Sequence, residues 1–557
     1  MVHLDKLDYY KYIKRYVLDY CEIINQISSE FSLDSAYWFT PLSCRDRFGS
    51  QLQEYYNFLI GFNLNKDSAN KDFRLNQKFF IYFFKKYSEY KKTFTFAERS
   101  KFGLLFLFQK IKNFIWFLKL NGRLYKSWFF SQSLDYQKLF RNVEIFFISP
   151  QHVDKEIIPN KHNDVYFGEL VNEFSERGYN VALLGPVVAT GKTLKSVLST
   201  SNTYPITNFN NILKLKDVLK LNYLFILTFL KPPRINRPLN SALPGIKEFL
   251  NFELNNSVYY RLIGIQISYL FRKILENNSK AKVLHTYENI FWERAIDIPM
   301  YQLNRRDDLY GYVHSAILES HLTYYTDSID FHRRPMPSRI LCTGKNAVRK
   351  LKSLGQYPNS MLVSTSAIRG TNLPNLPLVN KKISNIKTVL VLLEGVAEML
   401  SFVKVILIVS KMNPSLKFRI RSHPIMPLSH KVFESIRNEF LISEIEESKG
   451  FSLEDDLSRS DVVVYKGTTA VFTAAYMGIP IIHYKDNWWL NDDPLSDIKF
   501  LKQSFSRPEE FLTKVNYFKK LDQLNVKKQR KNLRDYLDNY LSPFSMKEFE
   551  DTLGKIN

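Results

Sequence analysis

In the stretch 461–486, DVVVYKGTTAVFTAAYMGIPIIHYKD, an apolar run gives way to Lys466, Gly467, Thr468 and Thr469 ahead of a helix-forming segment. Free backbone amides, two hydroxyls and the positive end of a helix dipole favour a phosphate at such a junction. Gly467 lets the backbone approach a ligand closely. An ordinary strand–helix turn with threonine as its N-cap would use the same residues without chemistry. Upstream, KFRIRSHP (417–424) is an apolar strand ending in Arg419, Arg421, His423 and Pro424. A histidine at the tip of a parallel strand can donate a hydrogen bond to a phosphate oxygen and assist departure of a nucleotide. Pro424 turns the chain out of the sheet there. In TVLVLLEG (388–395), Glu394 ends another strand just before a glycine. A carboxylate at that place can serve as general base or bind donor hydroxyls.

A second set lies earlier. HTYENIFWERAI (285–296) ends a strand at Tyr287 and Glu288 and begins a helix at Trp292 and Glu293, and His314 closes the next strand in GYVHS. Aromatic rings stack on sugar faces and carboxylates accept sugar hydroxyls, so Glu288, Trp292, Glu293 and His314 are candidates for an acceptor side. Core packing of Trp292 and a helix-start role for Glu293 are equally open. GPVVATGKT (185–193) imitates a phosphate-binding P-loop, but five residues separate Gly185 from Gly191 where that loop has four. The loop's amides must converge on one phosphate, so the extra residue argues against ATP there. Lys192 and Thr193 are read instead as a cleft-edge loop.

Positioning these residues requires strands that alternate with helices. VEIFFIS, YNVALLG, AKVLHTYE, LYGYVHS and SRILCTG are short apolar runs between 143 and 344, with helix-like stretches between several of them. After a polar, Pro- and Asn-rich linker (370–385) the alternation restarts with TVLVLLEG, LKFRIRSHP, DVVVYKG and IPIIHY. The pattern predicts an α/β, GT-B-like protein with two Rossmann-like, doubly wound domains facing a cleft. The expected divisions are a helical, basic and aromatic region over 1–140, an acceptor-side domain over 141–380, a nucleotide-sugar donor domain over 381–506, and a helical segment over 507–557.

The order Glu394-Gly395, His423-Pro424, Thr468-Thr469 resembles the D/E-D/E-G, HP and S/T-rich motifs of bacterial sialyltransferases, polysialyltransferases and Kdo transferases. Those are GT-B enzymes that use CMP-activated acidic sugars. The resemblance implies that His423 contacts the donor phosphate and that the acid of the first motif is the base. Position 393 is leucine here, so a single acid, Glu394, precedes the glycine. RSHP with 461–484 is also similar to the CDP-glycerol polyol-phosphate transferases. HTYENIFWERAI, GYVHS and RPMPSRILCTG resemble cytoplasmic surface carbohydrate biosynthesis proteins, a likeness covering about 280–495.

Bulk properties agree with a large folded protein. The chain has 557 residues, a net charge of +23 and three cysteines that form no C-x-x-C pair. Three isolated thiols, the lack of a signal-peptide core and the lack of a long uncharged apolar run lead to an expected soluble, cytoplasmic protein. Residues 71–130 hold fourteen Lys/Arg against Asp72, Glu89 and Glu98 and are dense in aromatic rings. That composition suits the anionic inner face of a membrane better than nucleic acid, though a core face beside a solvated basic face explains it too.

The expected activity is transfer of a sugar from a nucleotide-sugar donor to a glycan or lipid-linked acceptor of surface polysaccharide or lipopolysaccharide. Arg421, His423, Pro424 and 466–469 would hold the donor. No Asp-x-Asp or histidine cluster has metal-ligand spacing, so metal-independent chemistry without a cofactor is expected. The alternatives are CDP-polyol phosphate transfer, a GT-B sugar epimerase, a P-loop nucleotide hydrolase and a non-catalytic membrane-surface protein.

Overall fold

The computed structural model describes residues 21–45, 96–131, 136–150, 157–158, 161–186, 204–239, 246–327, 330–379, 383–395, 399–424, 427, 445–485 and 490–553. The strands begin with β1 (Ile145–Ile148), the antiparallel pair β2 (Ile157–Ile158) and β3 (Lys161–His162), then β4 (Val181–Gly185) and β5 (Ile206–Asn208). They continue with β6 (Lys282–Thr286), β7 (Leu309–Tyr312), β8 (Arg339–Cys342) and β9 (Leu362–Ser364). Apart from β2 and β3, these pair in parallel as one sheet of seven strands, ordered β5-β4-β1-β6-β7-β8-β9. A second parallel sheet of six is built from β10 (Thr388–Leu392), β11 (Lys417–Arg421), β12 (Ile445–Glu447), β13 (Val462–Tyr465), β14 (Ile481–Tyr484) and β15 (Lys502–Phe505). Its order is β12-β11-β10-β13-β14-β15. All four residues of β1 and of β13 are buried, as strands covered by helices on both faces must be. The chain winds both ways from β1 and from β10. Ligands of such sheets bind beyond the strands' carboxyl ends at these switch points.

The helices used below are α1 (Phe96–Ser131), α2 (Leu215–Leu230), α3 (Val258–Glu276), α4 (Phe291–Gln302), α5 (Leu453–Ser458), α6 (Val471–Tyr476), α7 (Gln523–Tyr540) and α8 (Met546–Leu553). The expected helical start of the chain is described for 21–45 and from Phe96 on. Residues 71–95 of the basic stretch lie outside the described residues. Leu120 and Leu124 of α1 are buried in one core with Phe146 and Ile148 of β1 and with Leu262 and Phe271 of α3. The helical layer and the first sheet therefore share a core. Among the described residues no helix is long and apolar enough to cross a membrane.

The end of the chain is more than a tail. In α7, Arg530 donates to the carbonyls of Gly478 and Val379, and Arg534 to those of Tyr476 and Leu376. On its other side, Asn346 Nδ2 donates to Tyr536 O and Thr343 Oγ1 to Tyr540 O. Met546, Phe549 and Leu553 of α8 are buried with Ile145, Phe147 and Leu284 of the first sheet. The last helices thus fasten the second sheet's helices to the first sheet.

Gly185, the first residue of the P-loop-like sequence, ends β4 beside β1. A Cβ on it would stand 1.7 Å from the carbonyl oxygen of Ser149, so the glycine is required by strand packing. Residues 187–203, including Gly191, Lys192 and Thr193, lie outside the described residues. Gly185→Ala is expected to destabilise the protein by about 3 kcal/mol or more, because a backbone atom has to move. A urea-denaturation midpoint equal to that of the wild type would refute this packing role.

Candidate active site

Register brings the donor-side residues together. Leu392 of β10 pairs with Arg421 of β11 on one side and with Tyr465 of β13 on the other. Two residues beyond these aligned ends lie Glu394, His423 and Gly467. Their proximity shows in the two glycines: a Cβ on Gly395 would meet His423 Nδ1 at 2.7 Å, and one on Gly467 would meet Glu394 Oε1 at 2.6 Å. The glycines therefore make room for an imidazole and a carboxylate that three neighbouring strands deliver to one place.

Other donor-side candidates are placed differently. Arg421 Nη1 is 2.6 Å from Asp456 Oδ2 and also donates to the carbonyls of Phe451 and Ser452, which fastens the end of β11 to the start of α5. Lys466 is 3% exposed, with its ammonium 3.8 Å from Asp492 Oδ2. Thr468 is buried and its hydroxyl accepts from Ala470 N at 3.4 Å, inside the turn before α6, whose N-cap is Ala470 and not a threonine. Thr469 is exposed.

The first sheet repeats the same logic. Thr286 of β6 pairs with Tyr312 of β7, and two residues on, Glu288 and His314 face one another with Oε1 and Nε2 3.4 Å apart. Glu288 is about one-third exposed and His314 nearly buried. Burial holds the His314 imidazole below its ordinary pKa, against the opposing pull of Glu288. The Tyr166 ring packs edge-on against His314 at 4.7 Å, and the Arg369 guanidinium lies 5.8 Å from the Tyr166 centroid. Behind them Asp164 accepts from Ser149 Oγ and from the amides of Tyr166 and Phe167, which orients that turn.

Trp292 and Glu293 do not join this wall. Trp292 is 6% exposed among the helical-layer apolar residues. Glu293 is buried, and its carboxylate accepts from Thr286 Oγ1 and the amides of Glu288 and Ile290. Burial pushes it up to about 8 even so. It holds the turn that presents Glu288.

A cavity of about 660 Å³ lies between the two sheets. Glu288, His314, Tyr166 and Arg369 line it from the first, and Arg421, His423, Pro424, Thr468 and Thr469 from the second. Tyr540 of α7 completes it. Glu394, Lys466 and Gly467 are not among its lining residues. Two other openings, near 690 and 790 Å³, are no smaller. They lie by Cys21, Asn25 and Asp327 and by Arg530 and Asp538, away from the carboxyl ends of the strands. Arg369, Tyr166 and Asp164 were not legible as site residues in the sequence. They sit in irregular segments without a strand–turn–helix signature.

Two doubly wound sheets closing on one cavity place the chain in the GT-B-like class. It is similar to UDP-GlcNAc 2-epimerase from Neisseria meningitidis bound to UDP-GlcNAc, at 13% identity over 73% of this chain and 98% of that one, with a TM-score of 0.41. It is similar to Anabaena HepE in complex with UDP and glucose, at 9% identity over 74% and 100%, with a TM-score of 0.40. For the Thermobaculum terrenum O-GlcNAc transferase the values are 12%, 75%, 68% and 0.36. No family model and no curated protein sequence matches the chain. Likenesses of this degree carry no argument about activity, and the class rests on the two sheets and their cavity.

Proposed function

We propose that the chain is a glycosyltransferase that moves a sugar from a nucleotide-sugar donor to a hydroxyl of a glycan or lipid-linked acceptor. One observation carries this reading: a single cavity collects an imidazole and threonines from one sheet and a carboxylate–imidazole pair from the other. His423, with Thr468 and Thr469 beside it, suits the donor phosphate. Glu288 is the group we assign to the acceptor proton, in place of Glu394, whose carboxylate packs against Gly467. In the reaction the acceptor oxygen bonds to the anomeric carbon and the carbon–oxygen bond to the donor phosphate breaks. Its electron pair leaves with the nucleotide, and the hydroxyl proton passes to Glu288. His314 is a positioning residue for that carboxylate. A hydrogen bond from neutral imidazole Nε2–H would aim Oε1 without neutralising it.

The motif order from Glu394 to Thr469 makes a CMP-activated acidic sugar the first donor to test, and exposed Arg369 in the cavity suits an anionic group on either substrate. Assembly of surface polysaccharide or lipopolysaccharide is the setting that such a donor implies. In a thermal-shift panel of CMP, CDP, UDP, GDP, ATP and their sugar conjugates, a cytidine nucleotide is expected to stabilise the protein. The gain should reach about 2.7 kcal/mol at a hundredfold excess over Kd. A response to ATP alone would overturn the scheme. Conversion of the donor sugar without any acceptor would instead mark an epimerase, and transfer of the donor's phosphate a CDP-polyol transferase.

A further inference from the structure

Outside the cavity lining, two helices carry apolar side chains on their outer faces. Along α1, Phe108, Ile111, Ile115, Leu118, Tyr125 and Phe129 are exposed, Phe108 at 65%. Their spacing of three and four residues keeps them on one stripe. The opposite stripe, with Leu120 and Leu124, enters the core. Along α2, Leu215, Leu219, Tyr223, Ile226 and Leu230 form a second exposed stripe, the last at 68%. The helices lie side by side and antiparallel: Asn222 Nδ2 donates to Tyr125 Oη at 2.8 Å, and Phe229 packs on Phe117 with centroids 4.9 Å apart. With Phe114, twelve of the twenty large apolar side chains that are exposed among the described residues belong to these two helices. Scattered apolar residues are ordinary on a protein surface, whereas a continuous patch marks an interaction site.

Charge selects the partner. Lys110, Lys112, Lys119, Arg123 and Lys126 stand on the same part of α1, and Lys214, Lys216, Lys220 and Lys231 on or beside α2. No acid occurs over 108–131, and Asp217, the single acid of α2, is buried against Lys273. A second copy of the chain docking through this face would set nine cations against nine. A coiled-coil partner of the same sequence would lack the opposite charges that pair at flanking positions. An anionic lipid surface meets both features, with the rings and aliphatic chains entering the headgroup layer and the lysines meeting phosphates. We infer that the α1–α2 face lies flat on the surface of an anionic bilayer. The short turn Phe209–Ile212 follows the carboxyl end of β5 directly and packs against α1. This places the face beside the carboxyl ends of the first sheet's strands, the side on which the cavity lies.

The full-length protein is expected to co-float with phosphatidylcholine vesicles containing phosphatidylglycerol and to remain unbound with phosphatidylcholine alone. Lys112→Glu, Lys119→Glu, Lys126→Glu and Lys220→Glu combined should weaken that binding by at least about tenfold, given roughly 1 kcal/mol per basic residue near such a surface. Phe108→Ser, Leu118→Ser, Leu219→Ser and Ile226→Ser combined should abolish it, with the CD spectrum and nucleotide-induced thermal shift of the wild type retained. Equal vesicle binding by the wild type and both variants would overturn the inference. So would a concentration-dependent dimer in sedimentation that the serine variant dissolves, since the face would then belong to a second copy. Because the nucleotide panel is run without lipid, its failure and the failure of the vesicle experiment are separable.

Discussion

Glu288→Gln is expected to lower the turnover number by about a hundred- to ten-thousand-fold while donor affinity stays within about twofold of the wild type. The amide is isosteric, so the turn held by Glu293 keeps its hydrogen bonds, and what is lost is the capacity to take the acceptor's proton. His314→Gln is expected to act differently. It leaves a donor near Glu288 and should cost far less in rate, but it should change the pH profile. The wild-type imidazole sits below its ordinary value of 6.5 because it is buried. It is therefore neutral at pH 7 and charges only as the pH falls below about 6.5. An imidazolium 3.4 Å from Glu288 would weaken the carboxylate as a proton acceptor, so turnover declines on that side. The glutamine variant should flatten the decline. The same protonation affects stability. The unfolded chain takes the proton more readily, so this contribution is present above about 6.5 and is lost as the pH falls through the folded-state value. Near-wild-type turnover by Glu288→Gln in a transfer assay would remove the proton-acceptor assignment. A decline unchanged in His314→Gln would remove the positioning role.

His423→Ala is expected to weaken donor-nucleotide binding by about ten- to a hundredfold in calorimetry, as loss of a hydrogen bond to a charged phosphate implies. The acceptor side lies across the cavity and should keep its affinity. Gly395→Ala offers an independent route to the same effect, since its new Cβ would press on His423 Nδ1 from 2.7 Å without removing the ring. If both variants bind the nucleotide as the wild type does, the phosphate is elsewhere and the donor assignment fails. A non-catalytic surface protein would show that outcome, together with no nucleotide-induced stabilisation at all.

Periodicity and composition alone carried the alternation of strands and helices and most interior strands of both sheets. β1, β4, β6, β7 and β8 in the first sheet and β10, β13 and β14 in the second are largely apolar runs, since a strand buried on both faces has to be one; β11, KFRIR, buries only Phe418 and Ile420. Apart from the short pair β2 and β3, the strands that the sequence did not announce, β5, β9, β12 and β15, are the edges of the two parallel sheets. They run ITN, LVS, IEE and KQSF, too short and too polar to stand out as apolar runs; β9, β12 and β15 keep residues in contact with solvent, whereas β5 is buried. Glu394, His423, Glu288 and His314 could be placed at strand ends from the sequence. Which of them meet was decided by register, a long-range property: Leu392, Arg421 and Tyr465 had to align before Glu394, His423 and Gly467 could. The same holds for what each side chain faces. Trp292 and Glu293 follow Glu288 closely in sequence yet point into the core, because α4 turns that side toward α3 and the turn's amides. Arg369 and Tyr166 come to the cavity from irregular segments that no pattern marks. The basic, aromatic character of 71–130 was plain from composition, but its apolar partner stripe on α2 lies about a hundred residues away. Residue type and spacing set what each segment can do locally, and tertiary packing chose which of those capacities face one another.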